Sequence, residues 1–103
     1  MKKFHISIAV ADIKQSIDDY SIRLGCDPLI VIKNEYALWR TEFLNFSIRK
    51  TSENVGTLRH VGWEDPQAKR FLKDKDVNGL VWELFNAEGQ LEEIRTQWPD
   101  AEF

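Results

Sequence analysis

The chain has few of the features that mark several classes of protein. Its 103 residues contain one cysteine, Cys26, which excludes an internal disulfide and is typical of a reducing cytoplasm. No apolar run approaches the roughly 18–20 residues of a membrane helix, and the opening MKKFHISIAV is too short and too alternating for a signal peptide. These absences predict a soluble cytoplasmic protein without a membrane partner.

The chain also lacks an excess of positive charge. Fourteen Lys and Arg residues oppose 17 Asp and Glu residues, for a formal net charge of −3, and the basic residues are scattered along the chain. A nucleic-acid surface needs a basic stripe, so no nucleic-acid partner is expected. The length allows one compact core and is too short for two, which predicts a single domain over residues 1–103.

The first half of the chain alternates clearly between polar and apolar residues. The stretch FHISIAV (4–10) has a strongly apolar face and a smaller polar face that carries His5, which predicts a half-buried strand. Asp12 is a good N-cap for the helix that follows, and Gly25 is placed to end it. A three-strand meander is then predicted over residues 29–32, 36–41 and 44–50, before a polar linker at 51–56.

The second half reads as a shorter copy of the first. TLRHVGW (57–63) predicts a strand that carries His60, and Asp65-Pro66 predicts the start of a short helix through Leu72. Asn78-Gly79 then turns the chain into LVWELFN (80–86), which carries Glu83. A terminal helix is predicted at about 89–98.

The two histidines occupy equivalent positions in these halves. His5 precedes Asp12 by seven residues and His60 precedes Asp65 by five. Because both offsets are odd, both histidines lie on the same face of their strands relative to the next element. By the same alternation Trp63 and Trp82 lie on the opposite face, where packing under helices is expected.

The motifs FHISIAVADI, DYSIRLGC and NGLVWELFN, in this order and spacing, resemble the vicinal oxygen chelate superfamily of glyoxalases, bleomycin-resistance proteins and extradiol dioxygenases. The resemblance covers residues 4–86. It implies an α+β fold of paired βαβββ modules forming a curled mixed sheet, with a first module at about 4–50 and a truncated second module at about 57–86. Such a sheet forms a cup around a metal and a small ligand.

The resemblance also implies a metal site. His5 and His60 match the first-strand ligands of the two modules, and Glu83 matches the last-strand carboxylate of the second. The fourth position falls near Ser47 or Arg49, neither of which is a carboxylate. Two imidazoles and one carboxylate suit Fe, Mn, Ni or Zn, with open positions for substrate oxygens.

The second module is short, with 23 residues from His60 to Glu83 against 42 from His5 to Ser47. It therefore lacks room for its two middle strands, and the cup is expected to be open on one side or filled by a partner chain. Open sheet edges favour pairing, so a homodimer is expected.

Further polar side chains are expected on the cup face. Asn45, Ser47 and Arg49 alternate away from apolar neighbours on one strand and are candidate substrate-binding residues, with Arg49 suited to an anionic group. On the preceding strand, either Tyr36, Leu38 and Arg40 or Ala37, Trp39 and Thr41 face inward; polarity favours the former.

Three functions are consistent with these residues. The first is a metal-dependent lyase, isomerase or dioxygenase acting on a small oxygen-bearing molecule. The second is a small-molecule binding protein of the bleomycin-resistance type, with a vestigial site and no metal. The third is an interaction domain that uses the acidic C-terminal helix, with Trp98 and Phe103, as its contact surface. Metal content separates the first two.

Overall fold

The computed structural model describes residues 1–103 as an α+β fold with one curled, mixed seven-stranded sheet and two helices. The elements in chain order are β1 (Lys3–Val10), α1 (Ile13–Leu24), β2 (Ile30–Ile32), β3 (Tyr36–Arg40), β4 (Leu44–Lys50), β5 (Leu58–Glu64), β6 (Leu72–Lys75), β7 (Val81–Phe85) and α2 (Ala87–Gln97). The strand order across the sheet is β2-β3-β4-β1-β5-β7-β6. Neither helix is long and apolar enough to span a membrane.

The first half forms as its sequence predicts. The side chain of Asp12 accepts a hydrogen bond from the backbone N–H of Gln15 at 2.9 Å, which caps α1. Gly25 ends the helix with φ of 76°, a left-handed conformation that glycine adopts without strain. The helix packs on the convex face of the sheet, where Trp39 and Ile48 are fully buried.

The two halves of the sheet have related connectivity. β1 pairs in parallel with β4, which pairs antiparallel with β3. β5 likewise pairs in parallel with β7, which pairs antiparallel with β6. The halves meet where β1 and β5 pair antiparallel at the centre of the sheet. The first strands of both halves therefore lie side by side.

The helix predicted after Asp65-Pro66 is absent. Asp65 accepts a hydrogen bond from the backbone N–H of Gln67 in a local turn, and the chain continues to strand β6. The turn at Asn78-Gly79 explains the difference, because it closes a hairpin between β6 and β7. The segment that leads into β6 is held by contacts with the end of β7, where Asn86 Nδ2 donates to the Ala68 carbonyl oxygen and Phe71 stacks on Phe85.

Compared with the first half, the second half lacks the helix and one middle strand. The sequence predicted instead that the helix would be present and both middle strands missing. Its convex face has no helix over it, so the expectation that Trp63 and Trp82 pack under helices is wrong. Both rings pack edge-on against Phe4, and Trp63 is 38% exposed.

The concave face is covered by the chain itself. α2 packs across it, and Ile94 joins a buried cluster with Ile32, Tyr36 and Leu38. The cluster belongs to the first half of the sheet, so the expectation that the cup is open on the side of the shortened second half, or filled there by a partner, stays a prediction. Trp98 is not a free surface residue, because its ring packs against Tyr36 with centroids 5.2 Å apart.

Candidate metal centre

Three adjacent strands bring His5, His60 and Glu83 together. His5 comes from β1, His60 from β5 and Glu83 from β7, which are consecutive in the sheet. One potential ligand atom from each lies within 4.8 Å of the other two. The predicted trio is therefore a spatial cluster, on the concave face of the sheet.

The distances within this cluster match those of ligands around one ion. The two Nε2 atoms are 2.9 Å apart, and Glu83 Oε1 lies 3.1 Å from His60 Nε2 and 3.7 Å from His5 Nε2. Ligands bound about 2.1 Å from an ion and about 90° apart would be about 3.0 Å from one another. The spacing therefore fits two imidazoles and one carboxylate on one face of an ion.

A hydrogen bond orients the His5 ring. Its Nδ1 lies 2.9 Å from Asn45 Oδ1 and 3.2 Å from the Asn45 carbonyl oxygen. Both partners only accept hydrogen bonds, so neutral His5 carries its proton on Nδ1 and presents a lone pair at Nε2 toward the cluster. This is the arrangement by which partners of a ligating histidine fix its tautomer.

Asn45 is itself held by a buried polar network. Its amide nitrogen donates to Glu64 Oε1 and to Gln90 Oε1, both at 2.8 Å. Arg40 in turn grips Glu64 with two hydrogen bonds of 2.8 and 2.7 Å. No buried side-chain nitrogen or oxygen is left without a partner, so the network fixes the orientation of His5 from below.

The electrostatics favour neutral imidazoles. Burial, together with the neighbouring His5, lowers the pKa of His60 to about 3, and burial lowers the pKa of His5. Both rings are therefore neutral at pH 7, the form that binds metals. Burial raises the pKa of Glu83, although the ammonium of Lys73, 3.5 Å from Oε2, opposes that effect.

The strand register identifies the fourth position. Two residues beyond His60, Gly62 pairs with Glu83; two residues beyond His5, Ser7 pairs with Ser47. Ser47 is therefore the counterpart of Glu83 in the first half. A hydroxyl in place of a carboxylate leaves three potential strong ligands, His5, His60 and Glu83, at the candidate site.

The cluster lines a cavity of about 340 Å³ between the sheet and α2. The lining consists of His5, Tyr36, Ser47, Arg49, Arg59, His60, Phe71, Lys73, Val81, Glu83, Gln90, Glu93, Ile94 and Gln97. Of the three candidate substrate-binding residues, Ser47 and Arg49 lie in this wall. The structure places Asn45 beneath the wall, fully buried in the network described above.

On β3, the inward-facing set is the one that polarity favoured. Tyr36, Leu38 and Arg40 pair with Arg49, Ser47 and Asn45, respectively. Tyr36 reaches the cavity wall, where burial raises the pKa of its hydroxyl well above the ordinary value. It adds a neutral hydrogen-bonding group to the wall.

Two cations of the wall were not predicted from the sequence. Arg59 is adjacent to His60, so strict strand alternation would place its side chain on the other face, and Lys73 follows directly after the wrongly predicted helix. Burial and the nearby Arg49 lower the pKa of Arg59, which remains charged at neutral pH. The sequence shows the basic residues of LKDK (72–75), but it does not show that Lys73 lies beside Glu83. That position follows from the hairpin of β6 and β7.

Searches of protein-family models and of curated proteins find no match to this chain.

Proposed function

We propose that the chain is a small metal-dependent enzyme of the vicinal oxygen chelate superfamily, acting on a small oxygen-bearing molecule at His5, His60 and Glu83. The observation that carries the proposal is the mutual spacing of the three ligand atoms, 2.9, 3.1 and 3.7 Å. The neutral, oriented His5 ring and the adjoining cavity support it.

The connectivity of the sheet supports the proposed superfamily. Each half contributes its first strand to the centre and pairs it in parallel with its last strand. We therefore propose paired modules, with a second module that has lost its helix and one strand. The histidines lie on the two central strands, the positions that the resemblance implies for the ligands.

The proposed site would hold Fe, Mn, Ni or Zn through two imidazole nitrogens and one carboxylate oxygen. Such an ion, when bound, supplies Lewis-acid stabilisation of negative charge on a substrate oxygen. Residues of the chain supply the other interactions with the substrate. Ser47 and Tyr36 offer hydrogen bonds from the wall, and α2 contributes Gln90, Glu93, Ile94 and Gln97 to the same cavity.

A second candidate is a small-molecule binding protein without metal. Glu83 already has protein partners, because His60 Nε2 lies 3.1 Å and Lys73 Nζ 3.5 Å from its carboxylate oxygens. The cluster is thus satisfied without an ion. In that case the polar cavity itself would be the functional feature.

Metal titration separates the two candidates. The protein, purified without a His-tag and stripped with chelator, is melted with added Ni(II), Mn(II), Fe(II) or Zn(II). A metal at a hundredfold its Kd adds about 2.7 kcal/mol, which raises the Tm of a domain of this size by several degrees. We expect this rise in the wild type and its loss in His60→Ala.

The matched control compares two cavity glutamates. Glu83→Gln removes a proposed ligand, whereas Glu93→Gln removes a wall carboxylate that is not part of the cluster. Glu93→Gln should keep the metal-induced rise and Glu83→Gln should lose it. A wild-type Tm that no metal changes would reject the enzyme proposal in favour of the metal-free binding protein.

A further inference from the structure

The cavity contains more cationic than anionic side chains. Arg49, Arg59 and Lys73 face two carboxylates, Glu83 and Glu93. Lys73 is paired with Glu83 at 3.5 Å, whereas neither arginine takes part in any ion pair of the structure. Two guanidinium groups in one wall thus lack a carboxylate partner, which is unusual for charges near one another in a cavity.

A β-bulge places Arg59 in this wall. Ser7 pairs with His60 while the next residue of β1, Ile8, pairs with Leu58, so β5 has one extra residue at Arg59. The bulge turns two consecutive side chains, Arg59 and His60, toward the cavity. Arg59 Nη1 donates to Ser7 Oγ at 3.2 Å, and the remaining donors of its guanidinium are free to bind another acceptor.

Arg49 approaches from the other side of β1. It pairs with Ala9, and its guanidinium stacks over the Trp98 ring at 5.0 Å while donating to Gln97 Oε1. The backbones of β4 and β5 flank β1 at about 10 Å from each other, a span that two arginine side chains can close around one group. The contacts with Gln97 and Trp98 hold the planar fork of Arg49 at the cavity wall.

We infer that Arg49 and Arg59 together bind a carboxylate or phosphoryl group of the cavity's ligand, beside the His5–His60–Glu83 cluster. The inference rests on the proposed function and narrows its substrate to a small oxyanion-bearing molecule whose other oxygens reach the metal. Two unpaired guanidinium forks match such an oxyanion in shape and charge. The cavity of about 340 Å³ limits the ligand to a small molecule.

Two chelating probes that differ by one group test the inference on the metal-loaded protein. Acetohydroxamate and the monohydroxamate of succinic acid share the metal-binding group, and only the second carries a carboxylate. By titration calorimetry, we expect the wild type to bind the succinic probe at least about tenfold more tightly. Arg49→Gln and Arg59→Gln should each reduce this ratio, and the double variant should abolish it without changing the Kd of acetohydroxamate.

Control variants separate this site from general charge effects. Arg23→Gln removes an exposed arginine on α1 and should leave the ratio unchanged. Arg59→Lys keeps the charge without the fork and should keep part of the preference. A ratio retained by the double variant, or lost only in Lys73→Gln, would overturn the inference.

A metal-free arm keeps the inference testable if the proposed metal site fails. Chelator-treated protein is titrated with inorganic phosphate and, separately, with acetate, and backbone amide shifts are followed by NMR. Shifts centred on residues 47–50 and 58–60 that vanish in the double variant support the oxyanion site, and the tighter anion identifies the phosphoryl or carboxylate preference. The absence of such shifts with both anions, in protein that also binds no metal, rejects the oxyanion site together with the metal site.

Discussion

Asn45 shows how one buried amide can define the chemistry of a neighbouring ring. Its oxygen accepts from His5 Nδ1 while its nitrogen donates to Glu64 and Gln90. The amide cannot rotate without placing its nitrogen against a protonated ring nitrogen and its oxygen against a carboxylate. Asn45, first considered as a substrate contact, is thus better described as a residue that positions a proposed ligand.

Removing this amide should weaken metal binding. Asn45→Ala leaves His5 Nδ1 without its side-chain acceptor, and loss of such a partner typically lowers metal affinity about 10- to 100-fold. Gln90→Ala removes a different member of the network, keeps the Asn45 acceptor for His5 and should retain more of the affinity. Zn(II) calorimetry on both folded variants measures the difference, and an Asn45→Ala affinity equal to wild type would contradict the assigned role.

The buried histidines should make the metal-free protein sensitive to acid. The unfolded chain protonates His60 near its ordinary pKa of 6.5, whereas the folded chain does so at about 3. Stability is therefore complete above pH 6.5 and falls as the pH drops toward 3, by about 2 kcal/mol at pH 5 for His60 alone. His5 acts in the same direction, and the raised pKa of Glu83 offsets part of the loss.

Thermal melts in EDTA at pH 7.5 and pH 5.0 measure this loss. His60→Asn, which has no titrating ring at this position, should show a smaller decrease in Tm over the same interval than the wild type. Equal decreases in the two proteins would mean that His60 is protonated with an ordinary pKa in the folded state.

At the scale of elements, the contact between β5 and β7 depends on a glycine. Gly62 pairs with Glu83, and a Cβ at Gly62 would lie 2.0 Å from the Glu83 carbonyl oxygen. No side chain can occupy this position unless the strands separate. The glycine therefore determines how closely β7, which carries Glu83, approaches β5 at the centre of the sheet.

Gly62→Ala should destabilise the protein by about 1–3 kcal/mol, because the new methyl group must displace backbone atoms. It should also shift Glu83 and weaken metal binding. Gly89→Ala in α2 is the control, since its Cβ would be 3.3 Å from a side-chain oxygen of Asn86 and alanine favours a helix. Urea unfolding compares the two variants; equal stabilities would contradict the contact.

The hairpin of β6 and β7 shows why the local sequence after Asp65-Pro66 wrongly predicted a helix. Asp65-Pro66 has the chemistry of a helix start, and nothing within residues 65–75 excludes a helix. The decision is made further along, where Asp76 Oδ1 accepts from the backbone N–H groups of Asn78 and Leu80 and forms the turn. Pairing with β7 then outweighs the local preference.

At the scale of the whole molecule, α2 packs against the first half of the sheet and builds one wall of the candidate site. Ile94 is 3% exposed and lines the cavity while it packs with Leu38 and Tyr36. Gln90 on the same helix belongs to the network under His5. The terminal helix thus couples the stability of the fold to the geometry of the candidate site.

Truncating the buried contact of α2 should be costly. Ile94→Ala is expected to destabilise the fold by about 3 kcal/mol through lost burial and a residual cavity. Ile22→Ala is the matched control, because Ile22 is 82% exposed and its loss should change stability by less than about 0.5 kcal/mol. Urea unfolding measures both, and similar effects would show that α2 does not pack as described.

The homodimer remains a prediction. Light scattering should give twice the 12.1 kDa mass of one chain. The free edge of β6 consists of exposed residues that include Lys73, Asp74 and Lys75, and charged residues of this kind oppose edge-to-edge pairing. A dimer would therefore form through a surface other than the β6 edge, and it should persist in Asp74→Lys. A mass of one chain in the wild type would contradict the prediction.

The sequence by itself determined the alternation of β1, the capped helix α1, the meander, and the common face of His5 and His60, because each depends on neighbouring residues. Tertiary structure alone decided the bulge that turns Arg59 inward, the pairing of Ser47 and Glu83 with equivalent positions, and the placement of α2 over the cup. These features depend on strand register and on contacts between residues far apart in the chain, which local periodicity does not encode.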